Sequence, residues 1–352
     1  MTVSPLQPGW GRAVDADTDE VLVLDRVGVE FRVEDNRISA VTDVSLRIDR
    51  GEIFGLVGES GCGKSTLALA IMGLLPSTAT VTGRIAFQGR DLIGLGEREF
   101  RALRGDRMSM VFQDPLTSLD PTYGIGDQVA ETIRAHRDAA RPAARERALE
   151  LLREVGISAA EQRYDEPPHR FSGGMRQRVV VATALANEPA LLIADEPTTA
   201  LDVTIQAQII ELIRALREHH GTTVVLITHD LGVIAQVCDR VGVMYAGQLV
   251  EIAPVAQIFA APRHPYTQAL IAALPTSGQA RGSLRVIEGQ VPELSAPPAG
   301  CRFSPRCPVR REECDRVPPV AIAARGHAIA CWNDPATRTT AEATVMASGV
   351  TK

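Results

Sequence analysis

Three short segments carry chemistry, and their order along the chain matters as much as their composition. The first is Gly58-Glu59-Ser60-Gly61-Cys62-Gly63-Lys64-Ser65, followed by Thr66. Glycines at these spacings let successive backbone N–H groups turn inward as an anion nest. Lys64 can reach the β- and γ-phosphates of a nucleotide, and the Ser65 hydroxyl can ligate Mg²⁺. A helix that starts here adds the positive end of its dipole. The second segment is Leu191-Leu192-Ile193-Ala194-Asp195-Glu196, an apolar run ending in two acids. Asp195 is suited to hold Mg²⁺ through water, and Glu196 to orient and deprotonate an attacking water. The third, Phe171-Ser172-Gly173-Gly174-Met175, lies between the other two. Ser172, Gly173 and Gly174 open a predicted helix over 176–186, whose N-terminus presents N–H groups to an anion.

Two further polar residues follow apolar runs. Gln113 comes after Met110-Val111-Phe112, and His229 after Leu226-Ile227-Thr228. Strand ends on one edge of a parallel sheet converge on a ligand crevice. His229 is therefore a candidate γ-phosphate contact, and Gln113 a candidate sensor of γ-phosphate and Mg²⁺.

The elements that must position these groups can be read from residue spacing. Residues 21–24, 27–33 and 41–48 carry apolar and β-branched side chains at strand spacing. Residues 53–57 form a short apolar run ending in Gly58, as a buried parallel strand does. A helix is predicted from Lys64 to Leu75, stopped by Pro76, and a strand over 83–89. Residues 115–170 read as helical: Ala148, Leu151, Leu152 and Val155 share one helix face. After Phe171 strands and helices alternate again through Tyr245, which implies a parallel sheet with crossover helices. From Pro262 onward Pro, Gly and Cys are dense. A short helix is predicted over 266–274, then a small irregular lobe to about 335. Residues 1–20 and 336–352 read as flexible.

Bulk properties narrow the class. The 352 residues suit about two domains at ~150 residues each. A net charge of −6 argues against a nucleic-acid partner. No apolar run is long enough for a transmembrane helix, and residues 1–20 lack the apolar core of a signal peptide. A cytosolic protein that docks on a membrane component is expected.

Taken together, the motifs resemble the ATP-binding subunit of an ABC (ATP-binding cassette) transporter. The resemblance implies an α/β fold: a P-loop ATPase core with a mostly parallel sheet, an antiparallel β subdomain and an inserted helical subdomain at about 115–186. The cassette would span 21–261. Gly58, Ser60, Gly61, Cys62, Gly63, Lys64, Ser65 and Thr66 match its phosphate loop, and Gln113 its glutamine loop. Ser172, Gly173 and Gly174 match its signature, Asp195 and Glu196 its acidic strand end, Ala200-Leu201-Asp202 its D-loop, and His229 its switch histidine. Phe31 matches the aromatic residue that stacks on adenine. The family mechanism implies two such cassettes sandwiching two ATPs, each under the signature of the other. Ser65, Gln113 and Asp195 would then serve Mg²⁺. Met175 replaces the common Gln, and Cys62 the common Ser. Cys62, a thiol at a helix N-terminus, reads either as a reactive group or as a small residue that fits.

Within that family, 112–121, 171–178, 264–267 and 300–308 are similar to oligopeptide, dipeptide and nickel importers. The resemblance implies peptide import, with nickel or another small solute as the alternative. It also implies two transmembrane permease subunits, an extracytoplasmic solute-binding protein, and peripheral placement on the cytoplasmic face of the membrane. A soluble ABC-type ATPase acting on nucleic acid or ribosomes is the competing class; the single cassette and acidic charge speak against it. A third reading makes the C-terminal lobe (262–335) a metal-dependent regulatory module.

That lobe holds Cys301, Cys307, Cys314 and Cys331, with five, six and sixteen intervening residues. Disulfides are disfavoured in a cytosolic protein. Four thiolates suit Zn²⁺ or an iron–sulfur cluster, and free structural thiols are the third reading. The subfamily resemblance implies a [4Fe–4S] cluster at these four positions.

Overall fold

The computed structural model describes residues 19–34, 36–198, 203–274, 286–323 and 326–337. The terminal segments read as flexible fall mostly outside these residues, as do Ala200, Leu201 and Asp202. The described residues fall into two compact units: one from Met1–Asp49, Phe54–Ile93 and His229–Lys352, the other from Arg50–Ile53 and Gly94–Thr228. In chain order the first opens with β1 (Glu20–Val33), β2 (Asn36–Asp49), β3 (Ile53–Val57), α1 (Lys64–Ile71), β4 (Ala79–Phe87) and β5 (Arg90–Asp91). The second contains α2 (Glu97–Leu103), β6 (Met108–Val111), α3 (Pro115–Ser118), α4 (Ile125–His136) and α5 (Arg141–Glu154). It continues with α6 (Ala160–Arg163), α7 (Gly173–Leu185), β7 (Leu191–Asp195), α8 (Val203–His220) and β8 (Thr223–Ile227). The chain then returns to the first unit through α9 (Leu231–Val237), β9 (Arg240–Tyr245), β10 (Gln248–Pro254), α10 (Val255–Ala260), α11 (Pro265–Ala272), β11 (Ala321–Ala323) and β12 (His327–Ile329).

In the first unit β1 pairs antiparallel with both β2 and β4. The residues read as two strands, 21–24 and 27–33, are one: the chain bulges at Arg26 (φ 49°) and the register shifts between Leu24 and Val27. β3 is five consecutive buried residues and runs parallel to β9. A strand covered on both faces has no polar side to show, so it reads as an unbroken apolar run. Beyond β9 the ladders turn antiparallel, through β10, β12 and β11. The sheet is therefore mixed, and the lobe read as irregular contributes two strands to it. Tyr245 at the end of β9 meets Tyr266 of α11 and Phe303 at ring-centroid distances of 4.7 and 5.2 Å. All three rings are buried; each such contact adds about 0.5–1.5 kcal/mol beyond area burial.

In the second unit β6, β7 and β8 form parallel ladders. Ala148, Leu151, Leu152 and Val155 are all buried, as their helical spacing predicts. α1 ends at Ile71, short of Pro76, because Gly73 takes a left-handed φ of 62° and turns the chain. No helix among the described residues is long and apolar enough to cross a membrane.

Candidate functional site

The phosphate loop leaves β3 at Gly58, where φ is +154°. A Cβ there would lie 2.1 Å from the Met244 carbonyl oxygen and 2.8 Å from Cys62 Sγ, so only glycine fits. Gly63, at φ +98°, caps α1. Lys64 is the first residue of that helix, and its Nζ donates to the carbonyls of Gly58 (2.8 Å) and Glu59 (3.1 Å). The ammonium thus spans the loop from below. Ser60 and Ser65 are exposed, and the first turn of α1 holds no acid. An N–H-rich turn, a helix N-terminus and one ammonium are the parts that a polyphosphate cradle takes.

Cys62 is 1% exposed. Burial pushes its thiol up, against the opposing pull of Lys64, whose Nζ lies 3.5 Å from the sulfur. Of the two readings of Cys62, burial and the raised thiol favour a small residue packed under the loop. His229 is exposed in the turn after β8, directly before Asp230, which caps α9 by accepting from Gly232 N and Val233 N. Phe31 is half-buried on β1, opposite Ile38 and Ala79.

In the second unit the parallel register sets Val111 beside Ala194 and Asp195 beside Ile227. Gln113 and Glu196 are each two residues beyond the first pair, and Gln113 Nε2 donates to Glu196 Oε2 at 3.0 Å. Asp195 is buried. Glu196 sits at φ 48°, and its N–H donates to Ile227 O at 2.8 Å. A left-handed non-glycine residue costs on the order of 1–3 kcal/mol and collects at functional sites.

Ser172 caps α7, its Oγ accepting from Met175 N. A Cβ on Gly174 would lie 2.5 Å from Ile205 Cγ2, so close packing on α8 accounts for that glycine. A Cβ on Gly173 would meet nothing within 4 Å, so nothing among the described residues requires glycine there. No acid lies in the first turn of α7. Met175, the departure from the signature, has its sulfur 3.7 Å from Arg163 Nη1 and faces the helical block. Arg176 and Arg178 tie α7 to that block by donating to the carbonyls of Pro168 (2.8 Å), Val155 (3.1 Å) and Gly156 (3.0 Å). Neither arginine's anchoring role was legible, because its acceptors in the helical block are backbone oxygens.

The lobe brings its four cysteines near one another. Cys301 N donates to Cys314 O at 2.9 Å. Each of the four thiols lies close enough to the other three to interact with them electrostatically. Burial is the main cause that pushes Cys301 up to about 11 and Cys331 to about 12, and it raises Cys307 as well. All four are free thiols. Among the described residues, no group of three or more His, Cys, Asp or Glu side chains is arranged to hold a metal ion. The expected iron–sulfur cluster therefore has no arranged ligand set in this structure.

Two family models match different parts of the chain. Residues 41–199 match the ABC transporter family, and residues 250–314 the C-terminal region of oligopeptide/dipeptide transporters. The dipeptide transport ATP-binding protein DppD of Bacillus subtilis (strain 168) is 48% identical over 317 residues, covering 89% of this chain and 95% of that one. A probable peptide ABC transporter ATP-binding protein, y4tR of Sinorhizobium fredii, is 50% identical over 306 residues, covering 86% and 91%. Among solved structures, the ATP-binding cassette MJ0796, a dimer in a post-hydrolysis state bound to ADP and Pi, superposes with a TM-score of 0.61 at 30% identity. The match covers 66% of this chain and 98% of that one.

Proposed function

The chain belongs to the family of ABC transporter ATP-binding proteins, and from that premise we propose that it powers peptide uptake across the cytoplasmic membrane. It is an ATPase. The observation that carries the peptide reading is the joining of two matches in one chain, a cassette and an oligopeptide/dipeptide-type C-terminal region. In this reading Gly58, Ser60, Gly61, Cys62, Gly63, Lys64, Ser65 and Thr66 hold the triphosphate, with Lys64 on its outer phosphates. Ser65, Gln113 and Asp195 serve Mg²⁺, which neutralises charge developing on the transferred phosphoryl group. Glu196 is the general base, and His229 contacts the γ-phosphate.

The partner is a second cassette, a copy of this chain or a related one. What supports it is the first turn of α7: capped N–H groups, no acid and an open Cα face at Gly173. Such an end suits an anion held by another subunit. Two permease subunits and an extracytoplasmic solute-binding protein complete the assembly, with this chain peripheral on the cytoplasmic face.

The test is reconstitution of the native complex in vesicles, with ATP on the cytoplasmic side and peptide or Ni²⁺ outside. Peptide accumulation that requires ATP is expected; accumulation of Ni²⁺ alone would replace the peptide reading with the nickel one. The [4Fe–4S] reading of Cys301, Cys307, Cys314 and Cys331 is a separate proposal. Four neighbouring thiols are the donor set it takes, and its role would be to staple a small lobe. Iron and acid-labile sulfide in anaerobically purified protein test it, and protein containing neither ends it.

A further inference from the structure

The phosphate loop carries a carboxylate of its own. Glu59 is its second residue, beside the place where a polyanion must sit. A negative charge there opposes what the surrounding N–H groups and Lys64 do.

The lobe takes that charge up. Arg306 Nη1 donates to Glu59 Oε2 at 2.7 Å and Nη2 to Glu59 Oε1 at 3.2 Å. The Arg306 side chain is 3% exposed. Its other three N–H groups donate to Tyr245 Oη (3.2 Å), Glu288 O (2.9 Å) and Ile287 O (3.0 Å). All five guanidinium donors are used, which fixes the fork in one orientation. The backbone of Glu59 is held too: its N–H donates to Tyr266 Oη at 2.9 Å.

The opposite shoulder of the loop has a similar brace. Gly247 N donates to Cys62 O at 2.9 Å. Arg302 donates to the neighbouring Ala246 carbonyl and, at 2.9 Å, to Thr42 Oγ1. Arg306 thus contacts the loop directly, and Arg302, four residues earlier, holds the Ala246 backbone next to the Gly247 brace.

We propose that Arg306 is a positioning residue of the nucleotide site: it draws the Glu59 carboxylate into an ion pair, so that the loop offers the triphosphate only N–H donors and Lys64. The C-terminal lobe is then part of the ATP-binding apparatus. The proposal rests on the reading of Gly58–Ser65 as the triphosphate cradle.

Calorimetric titration of the full-length chain with MgATP tests it. Arg306→Gln leaves Glu59 charged and uncompensated and should weaken binding by roughly 10- to 100-fold. Glu59→Gln alone should change affinity by no more than about threefold, and Glu59→Gln in the Arg306→Gln background should restore affinity to about that level. A merely structural Arg306 gives a double variant as weak as Arg306→Gln, and that result overturns the proposal. Arg306→Lys keeps a charge beside Glu59 without the bidentate fork and should bind MgATP more tightly than Arg306→Gln; binding no tighter than in the Gln variant also overturns it. Lys64→Ala separates the two levels. Lost binding in Lys64→Ala with normal binding in Arg306→Gln defeats this inference alone, whereas normal binding in Lys64→Ala defeats the cradle reading beneath it.

Discussion

The amide of Gln113 donates to the carboxylate of Glu196 across 3.0 Å, between residues 83 apart in sequence. Parallel pairing of β6 with β7 brings them level, and the left-handed turn at Glu196 fixes the carboxylate's direction. This hydrogen bond restricts the rotamers of the Glu196 side chain. Glu196→Gln should keep ATP binding and slow hydrolysis by roughly 10²–10⁴-fold, the contribution expected of a general base. It should also accumulate the ATP-bound dimer on size exclusion. Gln113→Ala should lower kcat with less change in ATP affinity. Near-normal turnover in Glu196→Gln would falsify the assignment.

Adjacent glycines of α7 should respond oppositely to substitution. A Cβ on Gly174 collides with Ile205, so Gly174→Ala should destabilise the chain by about 1–3 kcal/mol, the usual cost of overpacking. A Cβ on Gly173 meets nothing within 4 Å. Gly173→Val should therefore leave the melting temperature and ATP affinity of the isolated chain nearly unchanged. It should nevertheless abolish ATP-dependent dimerisation and hydrolysis, because in the proposed pairing that space is taken by the partner's nucleotide. Loss of stability equal to that of Gly174→Ala would show that Gly173 serves its own chain.

What the sequence disclosed and what it concealed differ in physical range. β3, β7 and β8 are continuous apolar runs because both faces are covered, and such runs are visible one residue at a time. The acids and glycines at their ends followed from the same reading. β1 was split because Arg26 interrupts its alternation, although the ladder resumes beyond the bulge. β12 and β11 are three residues each, too short to show a period, and they depend on β10 some seventy residues earlier. The Arg306–Glu59 pair spans 247 positions and has no local signature at either end. Cysteine spacing was visible, but the burial of Cys314 and Cys331 was not.

Cys62 allows a chemical check on its own burial. At 1% exposure, and with its pKa raised by desolvation, it should react slowly with iodoacetamide at pH 7.5, with or without MgATP. Mass spectrometry of the labelled native chain should find Cys62 modified only after denaturant is added. Rapid native labelling that ATP suppresses would restore the reactive-thiol reading.

Acid should weaken the lobe's attachment through His264. Its ring is buried and caps α11, Nδ1 accepting from Tyr266 N at 3.0 Å. Burial lowers its pKa to about 4, despite the opposing effect of Glu251. Glu251 is itself fully buried; burial alone would raise it, but His327 and the N–H groups of Arg263 and His264 hold it below the ordinary carboxylate value. A histidine depressed in the folded state is neutral there while the unfolded chain protonates near pH 6.5. Stability is thus fully present above about pH 6.5 and declines as pH falls towards 4, by on the order of 2–4 kcal/mol. Glu251 adds a further loss only below its unfolded value, near pH 4.5. His264→Asn keeps a side-chain cap on Tyr266 N and removes the titrating ring. Urea unfolding of this variant between pH 6.5 and 4.5 should show a flatter pH dependence than wild type, whatever its stability at pH 8. An unchanged slope would assign the acid sensitivity to another group.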